Sequence, residues 1–251
     1  MLNKTTFLEG GFFTLVELYP AEKSYNLLLI EQYVKFGEII KAASLIVPFL
    51  VIEPKTKADW QALLLYYKIL RVKTYAKSEV SYARRRGLNE MKNVIAILKK
   101  GDFRDDDAME IAEDAAKMED VKTAVTIYQK VLDNSKQKCT QNCMQLYANA
   151  GRFMLSQRLY VASSKFYFLA QDHATVLDEQ REYFIAALKS LQSGDMLNLA
   201  MNEAGKHTGN LADDRETLLF LSRLALAANK NKLAEKYIER VLQLKLYKSS
   251  K

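Results

Sequence analysis

The sequence predicts an all-α protein built of stacked helix pairs. Two observations carry that expectation. First, a chain of 251 residues holds only 9 Gly and 3 Pro. Those residues punctuate strands and tight turns, and a β-sandwich or doubly wound α/β domain of this length needs more of them. Second, a pattern of small and apolar residues at helical spacing returns after 34 residues, from Ala42 to Ala76. A fixed period of that length marks a repeat array. Hydrophobic residues at 49% and charged residues at 27% fit a folded chain rather than a disordered one.

Each element follows from the phase. Residues 1–22 carry Leu8-x3-Phe12-x2-Leu15-x4-Pro20 and read as the second half of a repeat, against which Gly10 and Gly11 weigh as poor helix formers. The unit 23–56 has Leu29, Ile30 and Tyr33 in its first helix and Ala42-x3-Ile46-x2-Phe49-x4-Pro54 in its second. The unit 57–90 has Trp60-x2-Leu63-Leu64-x2-Tyr67, then Ala76-x3-Val80-x2-Ala83. The small residue next recurs at Ala124, 48 positions after Ala76. The surplus over one period matches an extra helical stretch from Asn89 to Lys100, placed in an insert at 91–104 and ended by Gly101-Asp102.

The unit 105–138 contains Ala124-x3-Tyr128-x2-Val131. The unit 144–177 contains Tyr147-x2-Ala150-Gly151-x2-Met154 and Ser163-x3-Tyr167-x2-Ala170, after a connection from Lys136 to Cys143 that lengthens the period. For 178–214 two frames three residues apart fit comparably. The unit 215–248 has Leu218-x2-Leu221-x3-Ala225 and Ala234-x3-Ile238-x2-Val241, and 249–251 form a basic tail.

This pattern resembles the tetratricopeptide repeat (TPR), with its W-x2-L-G-x2-Y, A-x3-F and late Pro. Trp60, Leu63 and Tyr67 stand at the W, L and Y places, Gly151 at the glycine place, and Pro54 at the stop. The resemblance implies a right-handed TPR superhelix, an α-solenoid of about six helix-turn-helix repeats plus a leading half repeat. Each pair buries its apolar face only against its neighbours, so residues 23–248 form a single array. Aromatic residues such as Trp60, Tyr33 and Tyr147, and the 8 Met, are then packing residues and gap fillers.

Catalytic chemistry is not expected. The chain has no phosphate-cradling GxxxxGK[ST], no HExxH and no calcium loop. His173 and His207 read as solvated or capping residues, since no nucleophile stands at a suggestive spacing. Asp105-Asp106-Asp107 precede a helix and fit its N-terminal dipole better than a metal. No enzyme activity, cofactor or metal is assigned. For Cys139 and Cys143 two readings stand: free thiols, or a small local disulfide in an oxidising compartment.

Lys and Arg total 37 against 30 Asp and Glu, a net charge of +7. That moderate excess fits an acidic partner or surface, and the absence of interleaved aromatics disfavours nucleic acid. No run is long and apolar enough to span a membrane. In TPR arrays the concave groove is lined by the first helices, which implies a partner-binding face of Leu27, Glu31, Gln61, Leu65, Lys68, Met109, Glu113, Arg152, Leu155, Glu182, Lys189 and Arg223. The TPR clamp for chaperone C-terminal carboxylates needs Lys and Asn where this chain has Leu27 with Glu31, Gln61 with Leu65, and Ala148 with Arg152. That function is therefore not expected.

The resulting expectation is a non-enzymatic scaffold that binds a protein, either a peptide or helix in the groove or another subunit at an array edge. The alternative is a fragment of a bacterial envelope array that assembles or guides exopolysaccharide export. It rests on resemblance to the TPR scaffolds of Pel-type systems, the start in mid-repeat and the cysteine pair. A cytoplasmic location is the default without a signal peptide, and a periplasmic one follows if the chain is such a fragment.

Overall fold

The computed structural model describes residues 16, 18, 19, 22–76, 81–134 and 139–249. Most of the leading half repeat (1–22), residues 136–138 of the long connection, and residues 250 and 251 of the basic tail lie outside the described residues. Among those described there are twelve α-helices: α1 Lys23–Lys35, α2 Ile39–Ile46, α3 Lys57–Tyr75, α4 Ser81–Leu98, α5 Asp105–Lys117, α6 Val121–Asp133, α7 Cys143–Ser156, α8 Tyr160–His173, α9 Leu177–Ser193, α10 Leu197–His207, α11 Arg215–Ala227 and α12 Asn231–Ser249. Short 3-10 turns follow α2 at Val47–Phe49 and α10 at Gly209–Leu211. No described helix is long and apolar enough to cross a membrane. The chain is an all-α stack of helix pairs, an α-solenoid.

Five of the six pairs share one connection. The residue two past the end of the first helix has positive φ: Gly37 at 77°, Glu119 at 62°, Arg158 at 58°, Asp195 at 58° and Asn229 at 58°. At four of them the next N–H then reaches back five residues, as Glu38 to the Tyr33 carbonyl at 2.8 Å, Leu159 to Met154 at 2.9 Å, Met196 to Leu191 at 2.9 Å and Lys230 to Ala225 at 2.8 Å. This left-handed cap satisfies the last helical carbonyls and turns the chain sharply. A second helix that follows so short a link lies antiparallel on the first. Gly37, Asp195 and Asn229 are residue types that enter this region readily, but Glu119 and Arg158 are not, so pair geometry as well as local preference sets the recurrence.

The pair α3 and α4 departs from the pattern. Expected to begin a second helix, Ala76 instead ends the first with extended backbone, φ −60° and ψ 133°. α3 persists for 19 residues because nothing in it breaks a helix and its start is firmly capped. Thr56 accepts from the Asp59 N–H at 3.2 Å while Asp59 accepts from the Thr56 N–H at 2.9 Å. Lys23 of α1 also binds the Asp59 carboxylate, and with these hydrogen bonds it holds that carboxyl well below the usual range. α4 then runs unbroken from Ser81 to Leu98. The residues expected as a separate helical insert lengthen this second helix.

Two compact units are present: Met1–Asp102 with Lys117–Thr123, and Phe103–Ala116 with Ala124–Lys251. In the first, α1 packs on α2 and α3, and α3 on α4. Leu27, Ile30, Ala42, Ile46, Ala62 and Ile69 form its core. In the second, α7 packs on α8, α8 on α9, α9 on α10 and α11, and α11 on α12. Phe184, Leu188, Leu191, Leu211, Leu221 and Ala225 are central to that core. Gly151 shows why small residues recur. A Cβ there would stand 3.1 Å from the Tyr167 ring, so glycine lets α7 and α8 approach. Ser163 donates to the Gly151 carbonyl at 2.8 Å across the same contact.

Candidate functional site

An apolar residue on a first helix joins the core when the next element covers it, and lines an open face when nothing does. Three of the expected groove residues belong to the core: Leu27 (0% exposed), Leu65 (4%) and Met109 (1%). Glu31, Gln61, Lys68, Glu113 and Leu155 are half-buried, and Glu31 pairs with Lys35 at 2.9 Å within its own helix. Arg152, Glu182, Lys189 and Arg223 are exposed. All four lie in the second unit, on the first helices α7, α9 and α11.

Arg152 has a specific setting. Its charge acts on the hydroxyls of Tyr167 on α8 and Tyr183 on α9, and the Glu182 carboxylate acts on both in the opposite sense. Burial raises the two phenols, Glu182 adds to that, and Arg152 partly offsets it. The two tyrosines are therefore neutral donors at neutral pH. One cation, Arg152, and the carboxylates Glu182 and Glu179 thus act on two phenol hydroxyls, the groups coming from α7, α8 and α9. Such a cluster can orient a polar chain by hydrogen bonds and charge, while the ring faces supply apolar contact. Tyr167 enters the sequence pattern only as a packing position, and Tyr183 does not enter it. Its place next to Glu182 is the one signal that could have found it.

Some surface charges elsewhere in this unit are paired. Arg181 reaches Asp178 at 2.6 Å, Asp214 at 3.0 Å and Glu216 at 3.2 Å. Arg240 binds Asp213 at 2.7 Å, and Lys206 binds Glu203 at 2.8 Å. Arg152, Lys189 and Arg223 form no ion pair among the described residues, and neither do Arg158, Lys165, Arg215, Lys230, Lys232 and Lys236. The first helices α7, α9 and α11 thus each carry such a cation, α11 both Arg215 and Arg223.

The other chemistry-bearing residues are structurally engaged. Asp105, Asp106 and Asp107 are buried at the start of α5. Tyr147 donates to Asp105 at 3.0 Å, Thr140 donates to Asp106 at 2.9 Å, and Arg104 lies 3.4 Å from Asp106 and 3.5 Å from Asp107. The carboxylates thereby tie the turn before α7 to the N-terminus of α5, where the helix dipole favours negative charge. Burial and the Asp105 carboxylate push the Tyr147 phenol up.

Cys139 and Cys143 are joined in a disulfide with their Cα atoms 5.6 Å apart. His173 stacks on Tyr147 at 5.4 Å between ring centres, and His207 on Phe168 at 3.9 Å. Beside the disulfide, a shallow pocket of about 460 Å3 is lined by Asn142, Cys143, His173 and Glu179 among others. Cys143 is oxidised there and offers no nucleophile.

No family model matches the chain, and no curated protein matches it. Among solved structures it is similar to one described as "MamA RS-1 ArsTM double mutant", at 15% identity and a TM-score of 0.36. The match covers 74% of this chain and 97% of the other. At that level of superposition the likeness bears on neither mechanism nor partner.

Proposed function

We propose that this protein is a TPR-type, non-enzymatic scaffold that holds an extended acidic segment of a protein partner. The segment lies along the first-helix face of the second unit. The observation that carries this is the row of exposed cations Arg152 on α7, Lys189 on α9 and Arg223 on α11, none of which forms an ion pair among the described residues. Glu182 and the phenols beside Arg152 fix direction. Leu155 and Leu219, half-buried on the same helices, accept apolar side chains. Exposed cations contribute little to folding, whereas facing carboxylates in a partner they steer association and select against basic segments.

The test uses a fluorescein-labelled peptide of alternating Glu and Leu as probe. Wild-type protein is expected to bind it with an affinity that falls as salt rises. The variant carrying Arg152→Glu, Lys189→Glu and Arg223→Glu should lose about tenfold or more, with unchanged circular dichroism. Equal binding by the triple variant sinks the reading.

A second reading, the envelope array that guides exopolysaccharide export, draws support from the Cys139–Cys143 disulfide, since such bonds persist in oxidising compartments. Here the expected result is that both cysteines resist alkylation in protein taken from its native compartment without reductant. Full alkylation of both, read by mass spectrometry, excludes this second reading.

A further inference from the structure

In the first unit, α2 and α4 each pack on α3, and the three helices enclose a furrow of about 300 Å3. The second helices α2 and α4 form its sides and the first helix α3 its floor, and none of its lining residues is among the expected groove residues. The apolar walls are Ala43 and Val47 at the end of α2, Ile69 and Leu70 on α3, and Ala83 on α4. Val47 is 62% exposed, and Ile40, one helical turn before Ala43, is 84% exposed. The apolar lining therefore continues out of the furrow along α2, further than one small molecule would need.

The polar groups are sorted by end. At one end Tyr66 donates to one oxygen of the Glu90 carboxylate, and burial and Glu90 together push the phenol up. At the other end stand Lys73 and Arg86, two turns along α3 and one turn back along α4. Neither forms an ion pair among the described residues. Arg84 and Arg85, also exposed, extend the positive charge beyond them. The Thr74 hydroxyl lines this end as well, buried at 2% exposure and without a hydrogen-bond partner among the described residues.

We infer that this furrow is a second binding site, which takes an amphipathic helix of a partner protein. Its apolar ridge seats between α2 and α4, and its acidic residues face Lys73 and Arg86. Helix-in-groove recognition uses an apolar channel with flanking charge to set direction, and both are present. The Glu90 carboxylate, bonded to Tyr66, marks the opposite end as negative. Lys73 and Arg86 at one end and Glu90 at the other therefore set the way an acidic occupant lies. This site does not depend on the cation row of the second unit.

The probe is a labelled peptide of about five helical turns, with Leu on one face and Glu on the other, measured by fluorescence anisotropy on the full chain. Wild type should bind it in the micromolar range. Lys73→Glu with Arg86→Glu should weaken binding about tenfold or more, and Ala83→Trp, which fills the furrow from an exposed wall position, should abolish it. Both variants should keep wild-type circular dichroism, and Arg86→Gln should fall between. The variant with Arg152, Lys189 and Arg223 reversed should bind this probe as wild type does, which separates the site from the proposed groove. The inference is overturned by any of four results: no binding by wild type, equal binding of a sequence-scrambled peptide, equal binding of a peptide with Lys for Glu, or displacement of the probe by decanoate with the same dependence on Lys73 and Arg86. The last would assign the furrow to a small carboxylate amphiphile.

Discussion

Replacing Phe166 with Ala is expected to remove about 3–5 kcal/mol of stability, a large share of the roughly 5–15 kcal/mol that holds a domain folded. Phe166 is fully buried. Its ring meets Tyr128 edge-on at 5.7 Å and Tyr147 at 6.3 Å, and Tyr128 in turn meets Phe153 at 5.5 Å. Rings turn about only two side-chain bonds, and Tyr147 is further held by its hydrogen bond to Asp105. The neighbours therefore cannot collapse into the space, and the loss belongs in the upper part of the range for large-to-small changes. Phe166→Leu should cost less, because most of the volume is restored. Urea unfolding followed by circular dichroism reads both. A loss below about 1 kcal/mol for the alanine variant would mean that this aromatic cluster does not organise the second unit.

Asp214→Ala should cost about 3 kcal/mol, by three additive losses. Asp214 caps α11, accepting from the Thr217 N–H at 2.8 Å and the Thr217 hydroxyl at 2.8 Å, and it takes Arg181 at 3.0 Å. Thr217 is fully buried, so alanine strands its hydroxyl as well as removing the cap and the ion pair. Burial alone would raise the Asp214 carboxyl. The hydrogen bonds from Thr217 and Arg181 outweigh it and hold the group below the usual carboxylate range.

The pH dependence follows from that direction. A depressed folded-state pKa means the stabilisation is present above the unfolded value, near 3.9, and is lost as pH falls through the folded one. Asp214→Asn keeps a good cap but has no charge to titrate. Its deficit against wild type should thus be largest at neutral pH and shrink at about pH 3. An equal deficit at both would show that the carboxylate's charge contributes nothing.

Local patterns in the sequence lead to the helix pairs and fail where burial is decided by neighbours. The pairs α7 with α8 and α11 with α12 follow directly from Tyr147 to Met154, Ser163 to Ala170, Leu218 to Ala225 and Ala234 to Val241. Apolar spacing is a property of the helix itself, so no tertiary knowledge is needed. Ala76 shows the limit. It continues the 34-residue phase, yet α3 runs past the expected turn, because no glycine or left-handed residue interrupts it. The exposure of the expected groove positions was legible only in part. Arg152, Glu182, Lys189 and Arg223 are exposed wherever the helix turns outward, whereas Leu27, Leu65 and Met109 are apolar and could face either way.

The sequence by itself determined that this protein is helical and that its helices come in recurring pairs. Both are set by the spacing of apolar residues and the scarcity of Gly and Pro. Only the tertiary structure decided which first-helix positions are core and which cations stay unpaired. It alone showed that a furrow opens between α2 and α4. These depend on what lies across from a residue, and the phase of a repeat does not encode that.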